Sequence, residues 1–431
     1  MSRTSPPGRL PVSGQHLSRS VRAAARLGFA VHLLLFSSAA SADAPVAVPP
    51  TSPAAIAFSH HREPLWAFAQ FLPVVIAFLF VFTGLGARLR ALCARIAGGR
   101  RFWTVTLFAG AYLIVNALIT LPFACYRDLL DLRAWGESDQ SFARWLGGEA
   151  VGLAVKLLVA GLFTWIPYAL IARSPRRWWL YATLALVPVA FLVLVALPVW
   201  VSPLTTRYSP LADGPLEAKI EALAARCGGL HIPVFVGGND DTVVGLGPTN
   251  RIVLDEDLFK NETPDQIEFT IGHELKHYVE GDNWKALAII AGLLLAGFFL
   301  VERLGHAVIA RHSRRIGFDT LADPASLPLI VLIFALCWLA ASPVFNLFAR
   351  HIELEADRFS LELTHQNQAA ATMFAGFAAA HHLRTTEWDW FQQIFQANHP
   401  SDGDRIRFAN GYHPWADGKP LVYGEVCRPA N

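Results

Sequence analysis

Long apolar runs dominate the sequence, and they constrain the fold more than any other feature. Six of them approach or exceed the roughly 20 residues that a helix needs to cross a bilayer. They are Leu65–Leu85, Trp103–Ala124, Val151–Ala172, Trp178–Val201, Ala286–Val301 and Leu327–Phe348. Of the 431 residues, 53% are hydrophobic and only 16% are charged. We therefore predict a mainly α-helical, polytopic membrane protein with six to seven transmembrane helices.

The N-terminal segment, residues 1–42, could supply the seventh span. It begins with a polar stretch that contains five arginines and no acid, and it ends in a short apolar run, Leu27–Ala42. Such a segment is typical either of a cleaved signal peptide or of a short, uncleaved first span, and the sequence leaves both open. Residues 43–64 are rich in Pro, Ala and Ser, which predicts a linker.

The positions of the arginines predict how the chain is oriented in the membrane. The loops after Leu85, Ala172 and Val301 are rich in arginine, and cytoplasmic loops are typically basic. Alternating spans, four in 65–201 and two in 285–348, place the basic N-terminus and these three loops on one side. The segments 202–284 and 349–431 then lie on the other side. The Arg- and Ala-rich composition suggests a bacterium, so that side is predicted to be the periplasm and the membrane the inner membrane.

The pattern His273-Glu274-x-x-His277 is typical of a catalytic zinc helix. Residues four apart on an α-helix differ by only about 40° of rotation, so both histidines share one face and can chelate one ion. Glu274 lies beside that face, where it can take a proton from a zinc-bound water. Thr263 and Gln266 form a capping-box pattern ahead of this helix.

A third ligand is available further along the chain. Glu353 and Asp357 are four residues apart in a predicted helix and share one face, and His, His and Glu form a known zinc ligand set. Asp357 is then suited to accept the free ring N–H of a ligand histidine, which fixes the tautomer of that histidine. The alternative is an ordinary charged helix.

These motifs together resemble the integral-membrane CAAX prenyl endopeptidase family of zinc metallopeptidases. The similarity runs from about Phe102 to about Ala409. Its elements are His273-Glu274-x-x-His277, Asn346-x-x-Ala349-Arg350-x-x-Glu353-x-x-Ala356-Asp357, Leu121-Pro122-Phe123, Ser202-Pro203-Leu204, Asn250–Leu254 and His399-Pro400 followed by Asp404-Arg405-Ile406.

The resemblance implies a gluzincin-like site that opens into a chamber enclosed by the spans. It also implies that His399 stabilises the oxyanion, and that Arg405 positions His399 or binds substrate. Eukaryotic members of the family present their site to the cytosol, so the predicted periplasmic site is a departure.

The segment 202–284 is predicted to form a small α+β unit that, together with 349–431, makes the metallopeptidase domain. A helix from Pro215 and strands at Ile232–Val236 and Arg251–Leu254 are expected. In related peptidases a strand edge beside the metal binds the substrate as an added strand. At that edge Asp240 and Asp241 replace the family's usual residues, which suggests basic or polar substrate residues nearby.

Two of the five cysteines, Cys227 and Cys427, are predicted to lie on the periplasmic side. A disulfide between them is chemically permitted there. The alternative is that Cys227 only completes the apolar face of its helix, and the sequence leaves both open.

The sequence thus predicts a zinc endopeptidase with one Zn²⁺ per chain, bound by His273, His277 and Glu353. Glu274 is the expected general base and then the general acid. The expected partners are protein or peptide substrates and the lipid bilayer. A formal charge of +2 without a basic groove argues against nucleic acid.

Two further questions stay open at this stage. One alternative function is a catalytically silent membrane scaffold or transporter of the same fold. If the chain is a protease, it is either specific for one lipidated or periplasmic peptide or a quality-control enzyme with loose preferences. The sequence fixes neither the substrate nor the oligomeric state.

Overall fold

The computed structural model describes residues 44–204, 207–227, 232–238, 241–380 and 383–427. From Val46 onward these residues form one compact unit. Its helices are α1 (Pro53–Phe82), α2 (Leu85–Ile96), α3 (Arg101–Cys125), α4 (Asp131–Ala134), α5 (Phe142–Phe163), α6 (Trp165–Arg173), α7 (Trp178–Ala196), α8 (Pro215–Arg226), α9 (Leu258–Asn261), α10 (Pro264–Val279), α11 (Asp282–Ile316), α12 (Leu327–Thr364), α13 (Asn367–Ala380) and α14 (Asp402–Gly411). The predicted segment 1–42 and Asp240 lie outside the described residues.

The prediction of a mainly helical, polytopic membrane protein is confirmed. Among the described residues, five helical stretches are long and apolar enough to cross a bilayer, and Trp178–Leu192 is a shorter apolar helix. The five are Pro53–Phe82, Arg101–Ala134, Phe142–Arg173, Asp282–Ile316 and Pro324–Thr364. Many of their large apolar side chains point outward, such as Leu118, Val151 and Leu158. Lipid is the solvent that such surfaces suit.

Two helices extend further than the apolar runs predicted. α1 begins at Pro53, inside the segment expected to be a linker, because Ser52 caps it and proline suits the first helical turn. α12 continues without a break from the membrane span through Glu353 to Thr364. The predicted boundary between the membrane span (285–348) and the second metallopeptidase segment (349–431) therefore falls within one continuous helix.

A small mixed sheet lies beside α10. Its strands are β1 (Ser209–Pro210), β2 (Val234–Val236), β3 (Thr242–Val244) and β4 (Arg251–Leu254), in the order β1-β2-β4-β3. β2 and β4 are parallel, whereas the β1–β2 and β3–β4 pairs are antiparallel. Ile252 and Leu254 bury one face of the sheet against Ile220 of α8 and Ile271 of α10. In this strand order β3 lies at one edge of the sheet, and it is near α10.

The C-terminal tail is tied to this domain by covalent and polar contacts. Cys227 and Cys427 form a disulfide, which decides between the two alternatives left open above. The buried carboxylate of Glu362 accepts hydrogen bonds from the backbone N–H groups of Val422 and Tyr423, at 2.9 and 2.7 Å. The tail therefore packs on the same helix, α12, that carries Glu353.

Candidate active site

α10 carries the His-Glu-x-x-His pattern, and its ends are well defined. The Thr263 backbone N–H donates to Gln266 Oε1 at 2.7 Å, and Gln266 N–H returns a bond to Thr263 Oγ1 at 3.4 Å. Gly281, with φ of 63°, adopts the left-handed conformation that glycine tolerates and separates α10 from α11. The helix between these ends places His273 and His277 on one face.

α10 and α12 pack closely because α10 has a glycine, Gly272, where the two helices touch. A Cβ added to Gly272 would lie 2.5 Å from Ser360 Oγ of α12. The same hydroxyl donates to the carbonyl of Phe269 at 2.5 Å. This close approach brings Glu353 and Asp357 of α12 next to the histidines that follow Gly272.

Three potential metal ligands converge where the two helices meet. His273 Nε2 lies 3.2 Å from His277 Nε2 and 3.2 Å from Glu353 Oε2, and His277 Nε2 lies 3.8 Å from Glu353 Oε1. Ligands of a tetrahedral zinc ion are separated by about 3.4 Å, since Zn–N and Zn–O bonds are about 2.0–2.2 Å long. The spacing of the three atoms therefore fits such an ion.

The hydrogen bonds behind the two histidines lead to the same conclusion. His273 Nδ1 lies 2.9 Å from Asp357 Oδ1, and His277 Nδ1 lies 2.7 Å from Asp282 Oδ2. A carboxylate can only accept, so each Nδ1 donates a hydrogen bond to the carboxylate behind it, and Nε2 is the ring nitrogen that faces the centre. The two Nε2 atoms and the carboxylate of Glu353 then face one another. A cation is the partner that satisfies all three.

Arg405, on α14, supports this arrangement from behind His273. Its guanidinium donates to both oxygens of Asp357, with Nε at 2.7 Å from Oδ2 and Nη2 at 2.5 Å from Oδ1. It also stacks over the ring of Phe374, 3.9 Å from the ring centroid. Of the two roles that the resemblance implies for Arg405, positioning His399 or binding substrate, these contacts show neither. They place Arg405 behind Asp357.

Glu274 lines a cavity of about 600 Å³ together with the three ligands. Its side chain is buried, and burial raises the pKa of its carboxyl above the ordinary value. The cavity wall on the membrane side is mostly apolar and comes from α11 and α12, with the residues Ile289, Phe345, Phe348, Ala349 and Ile352. The cavity thus joins a polar metal-binding face to the membrane helices.

His399 reaches the same cavity from the loop before α14. Its Nε2 lies 3.3 Å from Glu353 Oε2, and its side chain is 53% exposed. The backbone carbonyl of His399 accepts a hydrogen bond from Trp388 Nε1 at 3.1 Å, which anchors the loop. The structure therefore brings every predicted site residue into one region, with His399 on the open side.

Asp241 also lines the cavity, just before β3. Burial raises the pKa of its carboxyl to about 6, and the nearby Glu274 adds to this rise. The backbone N–H of Asp255 donates to Asp241 Oδ1 at 2.8 Å and opposes it. Of the two acids that the sequence indicated, Asp241 is therefore the one described in the cavity.

Sequence reasoning missed two residues behind His277. Asp282 accepts from the His277 ring, and Lys276 forms a salt bridge with Asp282 at 2.7 Å. Two features of the sequence could have indicated them. Lys276 lies three residues after His273 and therefore on the same side of the helix, and Asp282 follows the helix break at Gly281 directly. The site predicted from the sequence contained only Asp357, the partner of His273.

A membrane-embedded helical fold with a His-His-Glu group beside a buried glutamate defines the class of the protein as an integral-membrane metallopeptidase. The family model described as "Peptidase family M48" matches residues 210–413, and the model described as "CAAX prenyl protease N-terminal, five membrane helices" matches residues 55–207. The uncharacterized metalloprotease YhfN of Bacillus subtilis is 30% identical over 321 residues, which cover 72% of this chain and 74% of that protein. The chain belongs to peptidase family M48 and is a metalloendopeptidase.

More distant relatives carry the name CAAX prenyl protease 1. The Arabidopsis thaliana homolog is 24% identical over 72% of this chain and 73% of its own length. The Saccharomyces cerevisiae protein is 25% identical over 40% of each chain. The crystal structure of S. mikatae Ste24p shares the fold, with a TM-score of 0.66, 17% identity and coverage of 82% of this chain and 87% of that one.

Proposed function

We propose that this chain is a zinc endopeptidase that cuts peptide segments of membrane-associated or extracytoplasmic proteins. His273, His277 and Glu353 would hold one Zn²⁺ per chain. The observation that carries the proposal is the convergence of three acceptor atoms beside the buried Glu274. Zinc, when bound, supplies the Lewis acidity that polarises a scissile carbonyl and makes water a nucleophile near neutral pH.

The protein residues have separate tasks in this proposal. Glu274 takes the proton of the attacking water and then delivers it to the leaving amine, a task for which a raised carboxyl pKa is suited. His399, on the open side of the cavity, donates to the oxyanion that develops on the substrate. Asp357 and Arg405 hold the His273 ring in the tautomer that presents Nε2.

Substrate binding is assigned to the edge of β3. The side-chain amide of Asn283 donates to the carbonyls of Val243 and Gly245, at 3.2 and 3.0 Å, so these two acceptors already pair with α11 and the part of the edge nearer Asp241 is left for a peptide. An extended peptide can pair with the edge near Asp241. Because Asp241 is an acid in the cavity, peptides with Lys or Arg near the scissile bond should be cut faster. A charge-matched peptide library compared with Asp241→Asn tests this preference, and equal profiles would exclude it.

The proposed location is the bacterial inner membrane, with the site on the periplasmic side. Two observations support it: the Arg-rich loops at the other ends of the spans, and the Cys227–Cys427 disulfide, which suits an oxidising compartment. In a variant without the free cysteines, an impermeant thiol reagent should label Lys260→Cys in intact spheroplasts. Arg311→Cys should react only after permeabilisation. The reverse pattern would overturn the orientation.

The catalytic proposal is tested by comparing purified wild type with Glu274→Ala. We expect equal zinc in both proteins, with chelator-sensitive hydrolysis of casein or a reporter peptide in wild type only. Loss of the base should lower the rate by about 10²–10⁴-fold. Zinc without hydrolysis in either protein would leave a protease of narrow specificity or the silent scaffold, and substrate trapping with Glu274→Ala would separate the two. Hydrolysis that survives in Glu274→Ala would remove Glu274 from the mechanism.

A further inference from the structure

Lys276 is a buried charged residue that the proposed reaction does not use. It lies on α10 directly before His277, and its side chain is only 2% exposed. Burial of an ammonium group is unfavourable unless the group is paired and hydrogen-bonded. A lysine in this position therefore has partners that define what it does.

The partners of Lys276 are parts of the metal site. Its Nζ lies 2.7 Å from Asp282 Oδ2, the same oxygen that accepts from His277 Nδ1 at 2.7 Å. Nζ also donates to the backbone carbonyl of Ile352, at 3.3 Å. Ile352 directly precedes Glu353. One ammonium group thus connects the carboxylate behind one metal-binding histidine to the helix that carries the carboxylate ligand.

We infer that Lys276 is a positioning residue for the metal. Two donors on Asp282 Oδ2 fix the direction of that oxygen, and the oxygen in turn fixes the His277 ring. Without Lys276, the remaining cation on Asp282 is Lys285, which binds the other oxygen, Oδ1, at 2.9 Å from the more exposed side. The carboxylate can then rotate toward Lys285 and away from the ring. The bond to Ile352 holds α12 at the register that places Glu353 opposite His277.

The inference rests on the proposed zinc site, and the readout is therefore zinc affinity. The full-length protein is purified in detergent, stripped of metal and titrated with zinc against a chelator. Substitution of residues behind a metal ligand typically weakens metal binding 10- to 100-fold. We expect Lys276→Met to raise the zinc dissociation constant by about 10-fold and Asp282→Asn by 10- to 100-fold. In the double variant, the loss of Lys276 should weaken zinc binding by clearly less than the roughly 10-fold expected for Lys276→Met alone, because both changes break the contact at Asp282 Oδ2 and only the bond to Ile352 is lost in addition.

Glu362→Gln is the matched control for loss of stability. Glu362 is a buried acid on α12 that binds the C-terminal tail, away from the metal ligands. It should lower the unfolding temperature and leave the zinc dissociation constant unchanged. If Lys276→Met does not fold, Lys276→Gln, which keeps a donor, takes its place in the same cycle.

Two results would overturn the inference. One is a Lys276 variant that unfolds earlier but binds zinc as wild type does, which would make Lys276 a structural residue only. The other is full additivity of Lys276→Met and Asp282→Asn. Failure of the proposed function gives a different result, since wild type itself would then bind no zinc.

Discussion

The two histidines proposed to bind zinc are supported by the same chemistry from two different regions of the molecule. In both cases the ring N–H meets a carboxylate, and that carboxylate meets a cation. Asp357 and Arg405 support His273 from α12 and α14. Asp282 and Lys276 support His277 from the same stretch of chain as the histidine. One support is therefore tertiary and the other is local.

The difference ties the two histidines to different parts of the fold. The His273 support requires α14 to dock, and α14 is held by Ile406 in the core cluster with Phe269 and Phe374. The His277 support requires only the turn at Gly281 and the contact with α12. The carboxylate of Asp357 is 2% exposed and that of Asp282 is 11% exposed. The tertiary support is thus the drier one, where loss of a charged partner is most costly.

Among the variants that bear on this comparison, the largest effect is expected for His399, a residue outside both supports. His399 Nε2 lies 3.3 Å from Glu353 Oε2, and His399 forms no hydrogen bond with the ring of His273 or of His277. His399→Ala should therefore lower kcat by about 10²–10³-fold, the usual cost of an oxyanion donor. Zinc content should stay at the wild-type level, and this would separate chemistry from metal binding. Loss of zinc together with activity would instead place His399 among the metal ligands.

The comparison itself is tested by Asp357→Asn. This variant removes the charge of the buried Asp357, so the partly buried guanidinium of Arg405 loses its ion pair and His273 loses a charged acceptor. We expect zinc binding to weaken by about 100-fold and the free energy of unfolding to fall by about 3 kcal/mol. Chelator competition and thermal unfolding provide the two measurements. If Asp282→Asn has the larger effect on zinc affinity, the ranking of the two supports is wrong.

The smallest effect is expected at Asp241, which belongs to neither support. A carboxyl whose pKa is raised on folding makes the folded state less stable as pH rises from its ordinary value of 3.8 to its folded value of about 6. Above pH 6 the ionised, buried carboxylate costs about 3 kcal/mol, since its pKa rises from 3.8 to about 6 and each pKa unit is worth about 1.36 kcal/mol. Asp241→Asn should therefore raise the unfolding temperature by a few degrees at pH 7.5 and by nothing near pH 4. The exposed Asp257→Asn serves as the control, and a gain that does not depend on pH would contradict the assignment.

Sequence patterns were sufficient for the side chains whose positions follow from helical periodicity. The four-residue spacings of His273 with His277 and of Glu353 with Asp357 put each pair on one helix face. The resemblance then added His399 and Arg405. Helical spacing also places Lys276 on the side of His273, three residues before it, but the residue type indicated the opposite because a lysine on a soluble helix is ordinarily exposed. Asp282 was missed since it follows the helix break at Gly281, where periodicity no longer applies.

The fold shows a similar division between strong and weak patterns. Long apolar runs predicted the spans, and β4 was predicted over Arg251–Leu254. β1 and β3 have two and three residues, too few for alternation to be visible. The start of α1 at Pro53 was not predicted, because the polar stretch Ser59–Glu63 interrupts the apolar pattern between Pro53 and the long apolar run that begins at Leu65.

The most direct test of the account is zinc-edge X-ray absorption of the zinc-loaded wild-type protein. The predicted spectrum has one zinc ion with nitrogen and oxygen neighbours at about 2.0–2.2 Å, two of them imidazoles. Removal of His277 by substitution with alanine should remove one imidazole contribution. A spectrum with sulfur neighbours or a third imidazole, or a wild-type protein that retains no zinc, would contradict the ligand set of His273, His277 and Glu353.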